Sequence, residues 1–171
     1  MTHFDGSLLA RDSDGYEAAR LGAVWNARKP DRHPDLILLA GSDRDVQEGV
    51  RLTVARGPRV SVRSGGHSWI GTGVRDGGLL IDLSALDEVT VDAPARRAAA
   101  GPAVQGSRLN TLPAERGLVF PSGHCPSVGV GGFLTGRPLH AVRRSHSARQ
   151  PVRRRRSVDR GAGGGRAGRR P

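Results

Sequence analysis

The chain has 171 residues, 27 Lys and Arg against 16 Asp and Glu, a formal net charge of +11 and a single cysteine. One cysteine excludes an internal disulfide, and no stretch approaches the ~20 apolar residues of a membrane-spanning helix. The first twenty residues carry Asp5, Asp12, Asp14 and Glu17 and no apolar core, so no signal peptide is read there and the cytoplasm is the expected compartment.

Taken in order, the first 134 residues read as alternating helices and strands. Tyr16 to Arg28 is expected to be a helix with Tyr16, Ala19, Ala23 and Ala27 near one face. Leu36-Ile-Leu-Leu39 is an apolar run short enough for a buried strand. Ser42 can cap a helix from Asp43 to Ala55, with Asp45 favouring its N-terminal dipole and Val46, Val50 and Val54 forming a buried stripe. Gly57-Pro58 ends it. Val60-Ser-Val62 is the next strand and delivers the loop Ser64–Ser68. Strands follow at Leu79–Leu83 and Val89–Asp92, with a weaker one at Arg97–Gly101. Ala103 to Arg116 is expected to be mostly helical, although Gly106 and Pro113 can split it. Gly117–Pro121 then leads into a second glycine-rich segment. Such an order indicates an α+β cofactor domain, and 134 residues can bury about two-thirds of their unfolded surface.

The net charge comes from one end. Residues 135–171 contain 12 Arg and one acid, Asp159, leaving 15 basic and 15 acidic residues in 1–134. This tail has six glycines, three prolines and no aromatic residue, and its few apolar residues show neither helical nor strand period. It cannot bury enough surface to offset a chain entropy of ~1–2 kcal/mol per residue, so it is expected to be disordered. Three origins are considered: a frameshift in a GC-rich gene, a basic arm for nucleic acid or an anionic membrane, and a solvated tail without a role. The frameshift is the favoured expectation, because the change falls inside a recognisable motif. Translation of the other two frames beyond codon 134 decides it.

Two stretches carry the chemistry: Arg63-Ser-Gly-Gly-His-Ser68 and Gly123-His-Cys-Pro-Ser-Val-Gly-Val-Gly-Gly132. Their glycines let backbone N–H groups approach a ligand without an intervening Cβ. Such donors suit a phosphate-bearing cofactor, and each frame holds one nucleophile, His67 or Cys125, suited to covalent attachment to its ring.

In this order and at this separation the two motifs resemble the berberine-bridge-enzyme-like branch of the FAD-linked oxidases, the vanillyl-alcohol-oxidase or PCMH-type superfamily. The resemblance runs from about Tyr16 to Leu134. It implies the first α/β lobe of a PCMH-type FAD-binding domain plus the start of the second, with FAD as cofactor. It also implies that His67 bonds the flavin 8α-methyl carbon and that the Cys125 sulfur can bond flavin C6. Arg63, Ser64, Gly65, Gly66, Ser68, Pro126, Val128, Gly129, Gly131 and Gly132 would complete the cofactor-binding set, the backbone of Ser64–Gly66 meeting the pyrophosphate. The family oxidises alcohols, sugars or alkaloid-like substrates by hydride transfer to flavin, often with reoxidation by O₂. Its substrate domain and C-terminal tyrosine base have no counterpart here, and the single tyrosine, Tyr16, lies at the wrong end. No turnover is therefore expected from this chain alone.

Plainer readings exist for both nucleophiles. His67 could be a solvated loop histidine, and Cys125 a small buried hydrophobe. His124, next in sequence to Cys125, is expected to point away from it. Asp82 could contact the cofactor or simply begin a turn. The six histidines and one cysteine show no metal-ligand spacing, so no metal is expected. No Walker sequence or Gly-x-Ser-x-Gly elbow is present. A basic-tailed nucleic-acid-binding protein is the rival from another class; against it, the body is neutral and its aromatics lie singly without interleaved cations. A partly folded product without a ligand is the remaining alternative.

Overall fold

The structure is a computed structural model describing residues 3–57 and 59–136 and the backbone of 153–154. Its elements in chain order are β1 (Ser7–Ala10), α1 (Tyr16–Gly22), β2 (Leu36–Leu39), α2 (Asp43–Arg56), β3 (Val60–Arg63), β4 (Leu79–Asp82), β5 (Val89–Asp92), β6 (Arg97–Ala100), α3 (Gly106–Ala114), β7 (Leu118–Val119), α4 (Val130–Thr135) and β8 (Arg153–Arg154). The chain is α+β, as its element order indicated.

The first region is a four-stranded sheet in the order β1-β2-β4-β3. β4 lies parallel to both neighbours, with Leu79 opposite Leu36 on one side and Val60 on the other, while β1 runs antiparallel to β2. A central parallel strand has both faces covered, and every residue of Leu79-Leu-Ile-Asp82 is buried accordingly. Ile37 and Leu80 pack with Tyr16, Ala23 and Val24 on the α1 side. Leu38, Leu79 and Ile81 form the other face with Val46 of α2.

Two helices depart from the sequence reading. α1 stops at Gly22 instead of Arg28, leaving Ala27 exposed. The carbonyls and amides that would continue it are used by the β3 loop instead: Arg63 Nε donates to Ala23 O (3.3 Å) and the Trp25 N–H donates to Gly66 O (3.2 Å). In α2 the stripe Val46, Val50, Val54 is not buried as a unit; Val50 is 42% and Val54 80% exposed. The buried line is Asp45, Gly49 and Thr53, the same spacing displaced by one residue. Gly49 sets that rotation, because a Cβ there would lie 2.7 Å from Leu38 Cδ2. The helix therefore meets the sheet through its smallest residue.

Asp45 fastens this helix to its surroundings. Its carboxylate accepts from the N–H groups of Asp5 (2.8 Å), Gly6 (2.8 Å) and Gly41 (2.9 Å), while its own N–H donates to the Ser42 cap (3.2 Å). Burial by itself would raise its pKa; the converging backbone donors outweigh burial and hold it below the ordinary carboxylate value.

The second region is slighter. β5 and β6 form an antiparallel hairpin with Val89 opposite Ala100. α3, β7 and α4 surround a core of Val104, Leu109, Phe120 and Val130. α3 is shorter at both ends than expected, starting at Gly106 and ending one residue after Pro113. α4 arises from the Val-Gly-Gly end of the second glycine motif. Of the segment read as a disordered tail, Thr135 closes α4 and Arg153–Arg154 pair with Val119 and Leu118; residues 137–152 and 155–171 lie outside the described residues. No helix among the described residues is long and apolar enough to cross a membrane.

Candidate functional site

The C-terminal edge of the sheet is where β3 releases the loop Ser64–Ser68. Arg63, the last residue of β3, does not reach outward. Its Nη1 pairs with Asp82 Oδ1 (2.8 Å) and its Nη2 donates to Gly22 O (3.3 Å), so it anchors the root of the loop to β4 and to the end of α1. Asp82 also accepts from the Ser84 N–H (2.8 Å), which bears out its role at a turn.

The loop can then approach the second glycine motif because neither partner has a side chain. A Cβ on Gly65 would stand 2.7 Å from Gly129 N, and one on Gly129 would stand 3.0 Å from Gly65 Cα. Gly66 adopts φ +64°, and a Cβ there would lie 2.5 Å from Ala23 O. Only glycine satisfies both the left-handed backbone and the contact. On the far side of the second motif, the Gly131 N–H donates to Pro102 O (2.9 Å) and the Val130 N–H to Val104 O (2.8 Å).

This contact borders an open cavity of about 550 Å³ whose walls include Arg63 to Ser68, Trp25, Trp69, Cys125, Val128, Gly129, Gly132 and Phe133. Ten of the residues marked in the sequence thus meet at one place. Pro126 and Gly131 do not line it: the Pro126 carbonyl accepts from the Ser107 N–H, and Gly131 packs on Pro102. Ser68 turns its hydroxyl to Thr72, closing the loop on itself.

His67 and Cys125, 58 residues apart in the chain, come together here. Cys125 Sγ lies 3.8 Å from His67 Nε2, and Ser127 Oγ bridges them at 2.9 Å from Nε2 and 3.4 Å from Sγ. Hydrogen bonding from the Ser127 side chain, then from its backbone, holds the Cys125 thiol below its ordinary pKa, the opposing effect of burial being smaller. Trp25 stacks on the imidazole, with ring centroids 4.5 Å apart and planes 14° apart, and Trp69 meets Trp25 edge-on. His124 is directed away and lines a separate hollow with Asn110, Phe120 and Ser122.

The sequence reading missed Ser127 and Trp25. Ser127 sat inside the motif and could have been found by asking what a hydroxyl two residues from a thiol would bond. Trp25 carried no such signal, since its contact with His67 depends on where α1 ends.

The cavity has donors to offer. Among the described residues the N–H groups of Gly65, Gly66, His67 and Ser68 donate to no protein acceptor, and all four residues line the cavity. Free backbone donors in a glycine cradle suit the oxygens of a pyrophosphate. The apolar walls from Trp25, Val62, Val128 and Phe133 suit a flat aromatic ring system.

Comparison with known proteins places the chain among FAD-binding proteins. A family model described as an FAD binding domain matches residues 34–160. FAD-linked oxidoreductase penO of Penicillium crustosum is 37% identical over 126 residues, covering 74% of this chain and 28% of that protein. (R)-6-hydroxynicotine oxidase of Paenarthrobacter nicotinovorans is 34% identical over 128 residues, covering 75% and 27%. Among solved structures, Phl p 4, a grass pollen allergen with glucose dehydrogenase activity, superposes with a TM-score of 0.70 at 30% identity over 75% of this chain and 28% of its own. 6-Hydroxy-D-nicotine oxidase from Arthrobacter nicotinovorans gives 0.66 at 32% identity over 74% and 27%. The chain spans little more than a quarter of the length of the curated relatives it matches.

Proposed function

The chain belongs to the FAD-binding-domain family of FAD-linked oxidoreductases, and on that premise we propose that residues 1–134 form the flavin-holding part of an oxidase acting on a small alcohol, sugar or alkaloid-like molecule. The observation that carries this reading is the meeting of the two glycine motifs, with Gly65 against Gly129 and His67 beside Cys125 at the wall of one cavity.

The residues divide the work by their chemistry. The free N–H groups of Gly65 to Ser68 would receive the pyrophosphate oxygens of FAD. Arg63, held by Asp82, keeps that loop at the end of β3. Val62, Val128 and Phe133 would offer apolar contact to the flavin ring. His67 and Cys125 are the two side chains that would bond the flavin covalently, and Trp25 keeps the imidazole plane in place. Bound flavin supplies hydride acceptance and reoxidation by O₂, chemistry that no protein side chain provides. The substrate-binding portion and the base for substrate deprotonation would belong to the remainder of a full-length relative, so this chain by itself is expected to bind the cofactor without turnover.

Incubation of the purified chain with FAD, followed by acid precipitation and a visible spectrum of the pellet and supernatant, tests the reading. Absorbance that follows the protein through gel filtration supports binding, and colour retained in the pellet supports covalent attachment. In a full-length protein carrying these residues, His67→Ala and Cys125→Ala should each leave one link and partial retention, and the double variant none, whereas the chain by itself is expected to hold little or no flavin covalently. Failure of the wild-type chain and of a full-length relative carrying these residues to retain any flavin would refute the assignment of His67 and Cys125.

A further inference from the structure

We propose that Ser127 is a positioning residue that joins the Cys125 thiol to the His67 imidazole in one proton relay, so that Cys125 is a prepared nucleophile for a carbon electrophile before any cofactor is bound.

The geometry is specific. Ser127 Oγ stands 2.9 Å from His67 Nε2 and 3.4 Å from Cys125 Sγ, both shorter than the 3.8 Å between sulfur and nitrogen. A hydroxyl is both donor and acceptor, so it can accept from the thiol and donate to an unprotonated Nε2. Trp25 stacks on one face of the ring at 4.5 Å with nearly parallel planes, which favours the orientation that keeps Nε2 toward Ser127.

With the imidazole proton on Nδ1, the step balances without a co-reactant. The S–H bond of Cys125 breaks and its proton goes to Ser127 Oγ as the hydroxyl proton passes to His67 Nε2. The products are a thiolate and an imidazolium, with the serine restored. The sulfur's electron pair is then free to attack an electron-poor carbon in the cavity. Besides His67 and Cys125, the titratable residue on the cavity wall is Arg63, and its guanidinium is committed to Asp82; no carboxylate is among the lining residues to oppose thiolate formation.

The proposal rests on the flavin reading only for the identity of the eventual electrophile. Its test needs no flavin, so the two can fail separately. Cys125 is the only cysteine in the chain, so alkylation by iodoacetamide reports on it alone. The rate of the full chain, followed against pH, should be half-maximal below the ~8.5 of a free thiol. Ser127→Val and His67→Ala should each move that midpoint upward by about one unit. Ser127→Thr, equal in shape to the valine but keeping the hydroxyl, should follow the wild type, which separates the relay from any effect on packing. Superimposed Thr and Val profiles would overturn the proposal. So would a midpoint that moves in Ser127→Val but stays in place in His67→Ala, since the serine would then act on the thiol alone.

Discussion

The sheet region and the hairpin region are built to different standards. In the first, β4 is flanked on both sides and covered above and below, and Asp45 ties the N-terminal segment, the β2–α2 turn and α2 into one unit. In the second, a two-stranded hairpin, two short helices and a small core around Val104, Leu109, Phe120 and Val130 have to suffice. A lone two-stranded ribbon is marginal in water. The second region is therefore held largely where it touches the first, at Gly65–Gly129 and His67–Ser127. The cavity lies on that same seam, so the weaker region's order and the site's geometry depend on the same few contacts, the Gly65–Gly129 approach and the His67–Ser127 hydrogen bond.

The largest expected effect separates the two regions directly. Ile81→Ala removes a fully buried side chain from the centre of β4 and should cost about 4 kcal/mol, collapsing the protection of both regions in hydrogen exchange. Leu109→Ala in α3 should cost about 3 kcal/mol and expose only residues beyond about 86. Equal loss of protection in the sheet from both variants would show that the regions are one cooperative unit.

Next in size is Asp45→Ala, expected to cost about 3 kcal/mol in urea unfolding because three part-buried backbone donors lose a charged acceptor. The same carboxylate gives the sheet region a pH dependence. Its folded pKa lies below the unfolded value of ~3.9. The contribution is therefore fully present above that value and is lost as pH falls through the lower folded value. Wild type should lose stability in that acid window more steeply than Asp45→Asn; parallel curves would contradict the assignment.

Gly65→Ala sharpens the comparison at the seam itself. The added methyl must displace the Gly129 backbone, at a cost of about 2 kcal/mol. Hydrogen exchange should accelerate around 101–134 and remain slow in β2 and β4, and Cys125 alkylation should lose its His67 dependence. The smallest effect is optical: His67→Ala removes the ring stacked on Trp25 and should change the tryptophan emission, whereas Trp25→Phe should make the emission insensitive to His67.

Much of this molecule could be read from its residues alone. The apolar run at 36–39, the Ser42 cap with Asp45 three residues on, and the alternation at 89–92 specify local structure through side-chain chemistry that acts within a few positions. β1 was not visible, because Ser-Leu-Leu-Ala becomes a strand only through pairing with β2. The early end of α1 and the rotation of α2 were equally hidden. In each case a helix yielded to a contact formed by a distant partner: the Arg63 and Gly66 loop for α1, and Leu38 against Gly49 for α2.

The same division holds for the site. The two glycine motifs, with a histidine in one and a cysteine in the other, marked the segments that line the cavity, because glycine and nucleophile are properties of the residues themselves. That Gly65 rests on Gly129, that Ser127 stands between His67 and Cys125, and that Trp25 covers the imidazole were decided by tertiary structure. These are distances between segments 42 to 64 residues apart, set by where α1 ends and by how the hairpin region packs against the end of the sheet, and no pattern local to the chain encodes such a distance.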